Sequence, residues 1–135
     1  MKKALTTSMI SGITLLIFSY VMIYVCIHLF PALAEEYYGP AFRLSGKNDW
    51  MFYIHPFVLS LGLKWFWERY KGLFQGSAII RAIEVALVYT LVAMIPVLWL
   101  TFSAVQVSFP MIITWLLYGL SQAFIAGLIF AILNP

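Results

Sequence analysis

The feature that most constrains this chain is the length of its uncharged stretches. No Asp, Glu, Lys or Arg lies between Lys3 and Glu35, and none follows Glu84. A spanning helix needs about 20 apolar residues, and a charge at the bilayer centre costs about 2.5–3.5 kcal/mol. Only 10% of the residues are charged and 64% are hydrophobic, whereas about a quarter are charged in soluble domains. The sequence therefore predicts an integral membrane protein of the all-α class.

Charged and helix-breaking residues divide the chain into four predicted spans. The second span is the shortest, because only residues 50–63 are uncharged there and Lys64 must extend to the interface. Pro96 inside the third span predicts a kink, since proline has no N–H to donate to the carbonyl four residues earlier. The spans are expected at about 9–30, 50–67, 79–102 and 110–133. They predict a four-helix membrane bundle in one domain, 1–135, with a polar outer loop at 32–49.

The connections after the second and third spans carry signals for the start of a helix. Ser77 is predicted to be the N-cap of the third helix, because serine side chains accept hydrogen bonds from the first free backbone N–H groups. Ser108 and Pro110 indicate a turn and the start of the fourth helix.

Basic residues near the ends of the spans predict the orientation. Cytoplasmic ends are enriched in Lys and Arg, so the side with more of them is expected to be cytoplasmic. Both termini then face the cytoplasm of a multi-pass protein of the cell membrane, which in a bacterium is the inner membrane. One side holds Lys2, Lys3, Lys64, Arg69, Lys71 and Arg81, and the other holds Arg43 and Lys47.

The N-terminal segment also has features of a signal peptide. Lys2 and Lys3 precede an apolar run that ends in Ala32-Leu33-Ala34, an A-x-A pattern typical of cleavage sites. A signal core has about 7–15 residues, and this run is longer, so we favour an uncleaved first span. A mature N-terminus at Glu35 in protein sequencing would establish cleavage instead.

Four small residues in the predicted fourth span form a stripe on one helix face. Small residues let two helix backbones approach closely, which drives helix association in lipid. The stripe is predicted to pack against another span of the same chain, and a second subunit is the alternative. It consists of Gly119, Ala123, Gly127 and Ala131.

Polar residues form two further stripes at a spacing of four residues. One stripe is Tyr20, Tyr24 and His28 in the first span, and the other is Thr114, Tyr118 and Gln122 in the fourth. With His55, they are candidates for a ligand pocket or polar path in the outer half of the membrane. We favour interfacial tyrosines and interhelical hydrogen bonds, with Gln122 turned inward because a lipid-facing amide is costly.

Glu84 is the only acidic residue within a predicted span. An intramembrane carboxylate can couple ion movement, and Arg81 lies three residues earlier on the same helix face. We prefer a structural Glu84–Arg81 ion pair to an ion-coupling role. Lys64 and Glu68 have the spacing of an ordinary i, i+4 pair.

The sequence does not predict a cofactor, a metal site or a nucleic-acid interface. His28 and His55 lack the spacing of a metal-binding motif, and the single cysteine, Cys26, excludes an internal disulfide. Aromatic and basic residues alternate over 64–71, but at the end of a span they are expected to anchor the helix at lipid headgroups, with Trp67 in the interface. Catalytic motifs are not found, so no catalytic residue is assigned.

Three short segments resemble a family of small, uncharacterised four-span bacterial membrane proteins. The resemblance is carried by the sequences HPFVL at 55–59, KGLF at 71–74 and AGLIFA at 126–131. It implies a four-helix fold and transfers no functional residues.

These observations favour a non-enzymatic accessory or interaction subunit that acts through helix packing. Its expected partners are the lipid bilayer and either further copies of the chain or a larger membrane complex. The alternative is a small oligomeric transporter or channel that uses the polar outer-half pocket and Glu84.

Overall fold

The computed structural model describes residues 2–42 and 49–135, and it is helical without a strand in those ranges. The all-α prediction is therefore confirmed. Arg43 and Lys47, two of the residues used to predict orientation, lie outside the described residues. The helices are α1 (Lys2–Leu29), α2 (Pro31–Glu36), α3 (Asp49–Tyr70), α4 (Ala78–Tyr89), α5 (Ile95–Ala104) and α6 (Phe109–Leu133), and a π-helical segment (Thr90–Met94) joins α4 to α5.

Among the described residues, three helices are long and apolar enough to cross a membrane, which marks the chain as an integral membrane protein. They are Lys3–Leu29, Ala78–Ala104 and Phe109–Leu133, each with 25 to 27 residues. At about 1.5 Å per residue, each exceeds the hydrocarbon thickness of about 30 Å. Helix α3 has 22 residues but is not among the three. Its role as a fourth span stays a prediction.

The predicted helix starts have a clear local cause. Ser77 Oγ accepts a hydrogen bond from the Ile80 N–H at 3.4 Å, so Ser77 is the N-cap of α4 as predicted. Ser108 Oγ accepts from the Met111 N–H at 3.2 Å and begins α6 in the same way. Each cap supplies an acceptor to a backbone donor that the helix itself leaves free.

A π-helical segment lies just before Pro96, where the sequence predicts a kink. The N–H of Ile95 bonds to the carbonyl of Thr90, five residues earlier. Pro96 lacks the N–H that would bond to the carbonyl of Val92 in an α-helix. The wider π turn accommodates this missing bond, and α4, the π segment and α5 form one continuous rod.

Helices α1 and α3 pack antiparallel along much of their length. Ser60 Oγ donates to the Ser8 carbonyl at 2.8 Å near one end, and the rings of Tyr20 and Phe52 meet near the other. A Cβ atom at Gly12 would lie 2.5 Å from the Phe57 ring, so only glycine leaves room for that ring.

Helix α6 packs against α4, α1 and α3, and its small-residue stripe is buried. A Cβ atom at Gly127 would lie 3.1 Å from Ala82 Cα, and one at Gly119 would overlap the side chain of Met94. Ala123 is fully buried and Ala131 is 5% exposed. The stripe therefore packs on α4 and the π segment of its own chain.

The start of α1 and the end of α6 lie at one end of the molecule, which we call the basic end. Trp67 near the end of α3 donates a hydrogen bond to the Asn134 carbonyl just after α6. Arg81 in the first turns of α4 lies 3.5 Å from the Lys71 carbonyl. The contact of Ser8 with Ser60 brings the start of α1 to the same end.

The contact at Gly127 predicts a position-specific cost for added volume. Gly127→Val should lower the free energy of unfolding by about 1–3 kcal/mol, because the neighbouring atom is backbone and cannot rotate away. Gly62→Val is the matched control, since a Cβ atom at Gly62 has no neighbour within 4 Å. Denaturation in detergent would measure both, and equal losses would contradict the close packing of α4 and α6.

Candidate functional site

A chain of hydrogen bonds connects α6 to α1 in the interior. Ser19 Oγ donates to the Leu15 carbonyl at 2.8 Å, so its oxygen accepts the Tyr118 hydroxyl proton at 2.5 Å. The Tyr118 oxygen in turn accepts from Gln122 Nε2 at 2.9 Å. Gln122 is 1% exposed and turned inward as predicted. This series of hydrogen bonds ends on the Leu15 carbonyl, so the hydroxyl protons of Ser19 and Tyr118 are used in a structural link.

The polar stripe of α1 does not face this chain of hydrogen bonds. Successive residues of a helix point about 100° apart, so Ser19 faces α6 while Tyr20 faces α3. Tyr20 meets the rings of Phe52 and Tyr53. Tyr24 and His28 stack on each other at 4.0 Å on an exposed face.

The remaining residues of the predicted outer pocket also lie apart from it. His55 is exposed on α3, and Thr114 Oγ1 donates to the Pro110 carbonyl of its own helix. Of the seven candidates, Tyr118 and Gln122 take part in the hydrogen-bonded link to Ser19, and the other five lie away from it. Within residues 2–42 and 49–135, no three His, Cys, Asp or Glu side chains are grouped closely enough to hold a metal ion.

Trp67 lies at the centre of the packing at the basic end. Its side chain is completely buried, its Nε1 donates to the Asn134 carbonyl at 2.8 Å, and its ring stacks on Phe74. The Arg81 guanidinium carbon is 4.6 Å from the ring centroid, a cation–π contact. The ring of Trp67 faces α6 and the 71–77 turn, whereas Trp65 is 63% exposed. The location of Trp67 at the depth of the membrane interface stays a prediction.

Lys64 forms the predicted ion pair with Glu68, and an aromatic ring covers the lysine. The Lys64 ammonium is 2.8 Å from Glu68 Oε1, and its side chain is only 5% exposed. The Phe130 ring covers it at 5.1 Å. Lys71 lies 3.6 Å from the other oxygen of Glu68, so one carboxylate engages two cations.

Arg81 and Glu84 do not form the ion pair that the sequence predicts. Arg81 instead stacks on Trp67 and approaches the Lys71 carbonyl, which draws its guanidinium toward α3. Within the part of the chain that the structure describes, Glu84 Oε2 is buried and has no hydrogen-bond partner. Burial of such an oxygen without a partner is costly, and Arg81 Nε one turn earlier is likewise buried without a hydrogen-bond partner in the described residues.

The segment predicted as a polar outer loop is partly folded onto α6. Glu36, at the end of α2, accepts hydrogen bonds from the Ser108 N–H at 2.7 Å and the Ser108 hydroxyl at 2.6 Å. These bonds hold the pKa of Glu36 below its ordinary value. Trp115 Nε1 donates to the Tyr37 hydroxyl at 2.5 Å, and the Phe42 ring packs against both aromatic rings.

Two apolar grooves are open at the surface of the described residues. One lies between α3 and α4, has a volume of about 340 Å³ and is lined on its two sides by residues such as Gly62 and Val88. The other lies between α5 and α6 in the half of the molecule away from the basic end, and has a volume of about 470 Å³. Trp99 and Phe109 line it and are 75% and 61% exposed.

Comparisons with protein-family models, with curated proteins and with solved structures find no match. The resemblance to small four-span bacterial proteins therefore stays an expectation.

Removing the hydroxyl that links α6 to α1 should weaken the fold by a small, measurable amount. Tyr118→Phe is expected to lower the free energy of unfolding by about 1 kcal/mol, since interhelical hydrogen bonds in membranes have about that strength. Tyr24→Phe is the control, because Tyr24 is 64% exposed and should give no change. A Tyr118→Phe variant as stable as Tyr24→Phe would show that the link does not contribute.

The contact of Glu36 with Ser108 predicts a dependence of stability on pH. Because the folded-state pKa lies below the ordinary value of 4.5, the contribution of Glu36 is complete above pH 4.5 and is lost as pH falls through the lowered pKa. Glu36→Gln should cost about 0.3–1 kcal/mol at pH 7, the usual contribution of an acid at a helix N-terminus.

Thermal unfolding between pH 3 and pH 7 would measure this effect. The exposed neighbour Glu35 provides the control, Glu35→Gln, which removes the same charge from α2. If both variants show the wild-type pH profile, the Glu36 contact does not contribute to stability.

Proposed function

We propose that the chain is a four-span protein of the cell membrane with both termini in the cytoplasm, and that it acts as a non-enzymatic interaction subunit through helix packing. The antiparallel packing of α3 on α1 supports α3 as the fourth span. The location of Lys64, Arg69, Lys71 and Arg81 at the basic end supports a cytoplasmic assignment for that end.

The observation that carries the proposed function is the open groove between α5 and α6. The small-residue stripe and the buried hydroxyl and amide groups of α6 already have partners within the chain. The groove still exposes Trp99, Phe102 and Phe109, which are large aromatic side chains. In lipid, helices associate through close packing, so this groove is a surface on which another membrane helix gains contacts.

A second candidate function rests on Glu84. Its buried Oε2 has no hydrogen-bond partner in the described part of the chain, which is typical of a carboxylate that binds a proton or cation. This favours the transporter alternative, with Glu84 as the coupling group. Flux through reconstituted vesicles that disappears in Glu84→Gln would establish it.

Site-specific crosslinking tests the interaction function. A photoreactive benzoylphenylalanine at Trp99 should form a discrete adduct with a second copy of the chain or with another membrane protein. Ile17, which is 60% exposed on α1, is the control position and should give lipid adducts only. Lipid adducts alone at both positions would contradict the proposal.

Labelling of single cysteines tests the proposed topology. In a Cys26→Ser background, Tyr38→Cys should react with a membrane-impermeant maleimide in intact cells. Leu73→Cys should react only after the membrane is permeabilised. Both native residues are about three-quarters exposed, at 76% and 75%, so differences in burial do not explain a difference in labelling. The reverse pattern would invert the orientation.

A further inference from the structure

The groove between α3 and α4 has the dimensions and chemistry of a site for a hydrocarbon chain. Its walls run from Val58 to Phe66 on α3 and from Val85 to Ala93 on the facing rod, a length of about 12 Å on each side. The walls are almost entirely apolar, and the space between them has a volume of about 340 Å³. Helix α3 packs mainly on α1 and helix α4 mainly on α6. Because α3 and α4 do not pack closely on each other, the groove between them stays open along its length.

One end of this groove carries an unneutralised cation. Trp65 and Phe66 form the part of the groove wall nearest the basic end, and the Arg69 guanidinium carbon lies 5.7 Å from the centroid of the Trp65 ring. Within residues 2–42 and 49–135, Lys64 and Lys71 both lie beside Glu68, whereas Arg69 has no carboxylate within ion-pair distance. Arg69 is exposed, so it is accessible to a charged group in the interface.

We propose that this groove binds an anionic phospholipid, with one acyl chain between α3 and α4 and the phosphate at Arg69. The apolar walls from Val58 to Phe66 match an acyl chain, and the cation at Arg69 matches the anionic headgroup joined to it. The α5–α6 groove lacks this match, because Ser103 is the only polar residue among those that line it and no charged residue follows Glu84. A guanidinium binds phosphate through paired hydrogen bonds, which favours Arg69 as the headgroup ligand.

The membrane leaflet that supplies the lipid depends on the proposed topology. With the basic end in the cytoplasm, the lipid comes from the inner leaflet. The cysteine labelling tests that topology independently, and the crosslinking at Trp99 concerns the other groove. Failure of lipid binding is therefore distinguishable from failure of the proposed function.

Gly62 allows the groove to be filled without disturbing the fold. A Cβ atom there has no neighbour within 4 Å, so Gly62→Phe extends into the groove and does not clash with backbone. Gly62→Ala is the matched control, because it changes the backbone in the same way but leaves the groove open. Arg69→Gln removes the cation, and Lys3→Gln removes a charge from the exposed start of α1 at the same end.

The test is native mass spectrometry of the full chain in detergent, titrated with phosphatidylglycerol and phosphatidylcholine that carry identical acyl chains. The wild type, Gly62→Ala and Lys3→Gln should bind one phosphatidylglycerol about fivefold more tightly than phosphatidylcholine, which corresponds to about 1 kcal/mol for one basic residue. Arg69→Gln should bind the two lipids equally, and Gly62→Phe should lose the bound lipid of both kinds. Circular dichroism of each variant checks that helix content is unchanged.

Three outcomes would overturn the proposal. Equal binding of the two lipids by the wild type would exclude a headgroup site at Arg69. Wild-type lipid binding by Gly62→Phe would show that the lipids lie elsewhere on the surface. Occupation of the groove by a protein helix, detected as a second chain in the spectrum that Gly62→Phe removes, would also exclude a lipid as its occupant.

Discussion

The close approach of α4 and α6 at Gly127 is the contact on which the rest of the structure depends. Lipid removes the hydrophobic driving force between helices, so packing distance determines how strongly they associate. Gly127 brings α6 within van der Waals distance of the Ala82 backbone, and α6 then presents Tyr118 to α1 and Phe130 to α3. Helix α6 is thus the element around which the other long helices assemble, and the groove between α3 and α4 exists because both are positioned by α6 and α1.

The polar residues fall into two groups by what they contact. Most buried ones act within the chain: Ser19, Tyr118 and Gln122 join two helices, and Glu36 caps α6 through Ser108. Arg69 and Glu84 differ, because the Arg69 guanidinium is exposed beside the Trp65 ring and Glu84 Oε2 is buried without a hydrogen-bond partner in the described residues. The groups that are not used in packing within the chain therefore lie at the basic end and along the apolar grooves. The outer polar stripe of α1 contributes Tyr20 to contacts with α3 and leaves Tyr24 and His28 at the surface.

Sequence reasoning identified the helices and several of their contacts because these depend on local signals. Long uncharged stretches, the cap at Ser77 and the i, i+4 spacing of Lys64 and Glu68 can all be recognised without knowledge of neighbours. It missed the face of α1 that packs, although Ser8, Gly12 and Ser19 form a small-residue pattern similar to that of α6. It also misassigned the Arg81–Glu84 pair, because the Trp67 ring on another helix competes successfully for the guanidinium.

The sequence by itself did not predict α2 or the start of α1 at Lys2. It did determine that the chain is helical and membrane-compatible, where the other helices begin and end to within a few residues, and which face of α6 is small. These properties follow from hydrogen bonds and apolar surface within a single helix. Only the tertiary structure decided which residues meet: Ser19 rather than Tyr20 faces Tyr118, Trp67 is buried while Trp65 is exposed, and two apolar grooves stay open. The reason is that a rotation of about 100° separates adjacent residues, and the rotation of each helix is set by its neighbours.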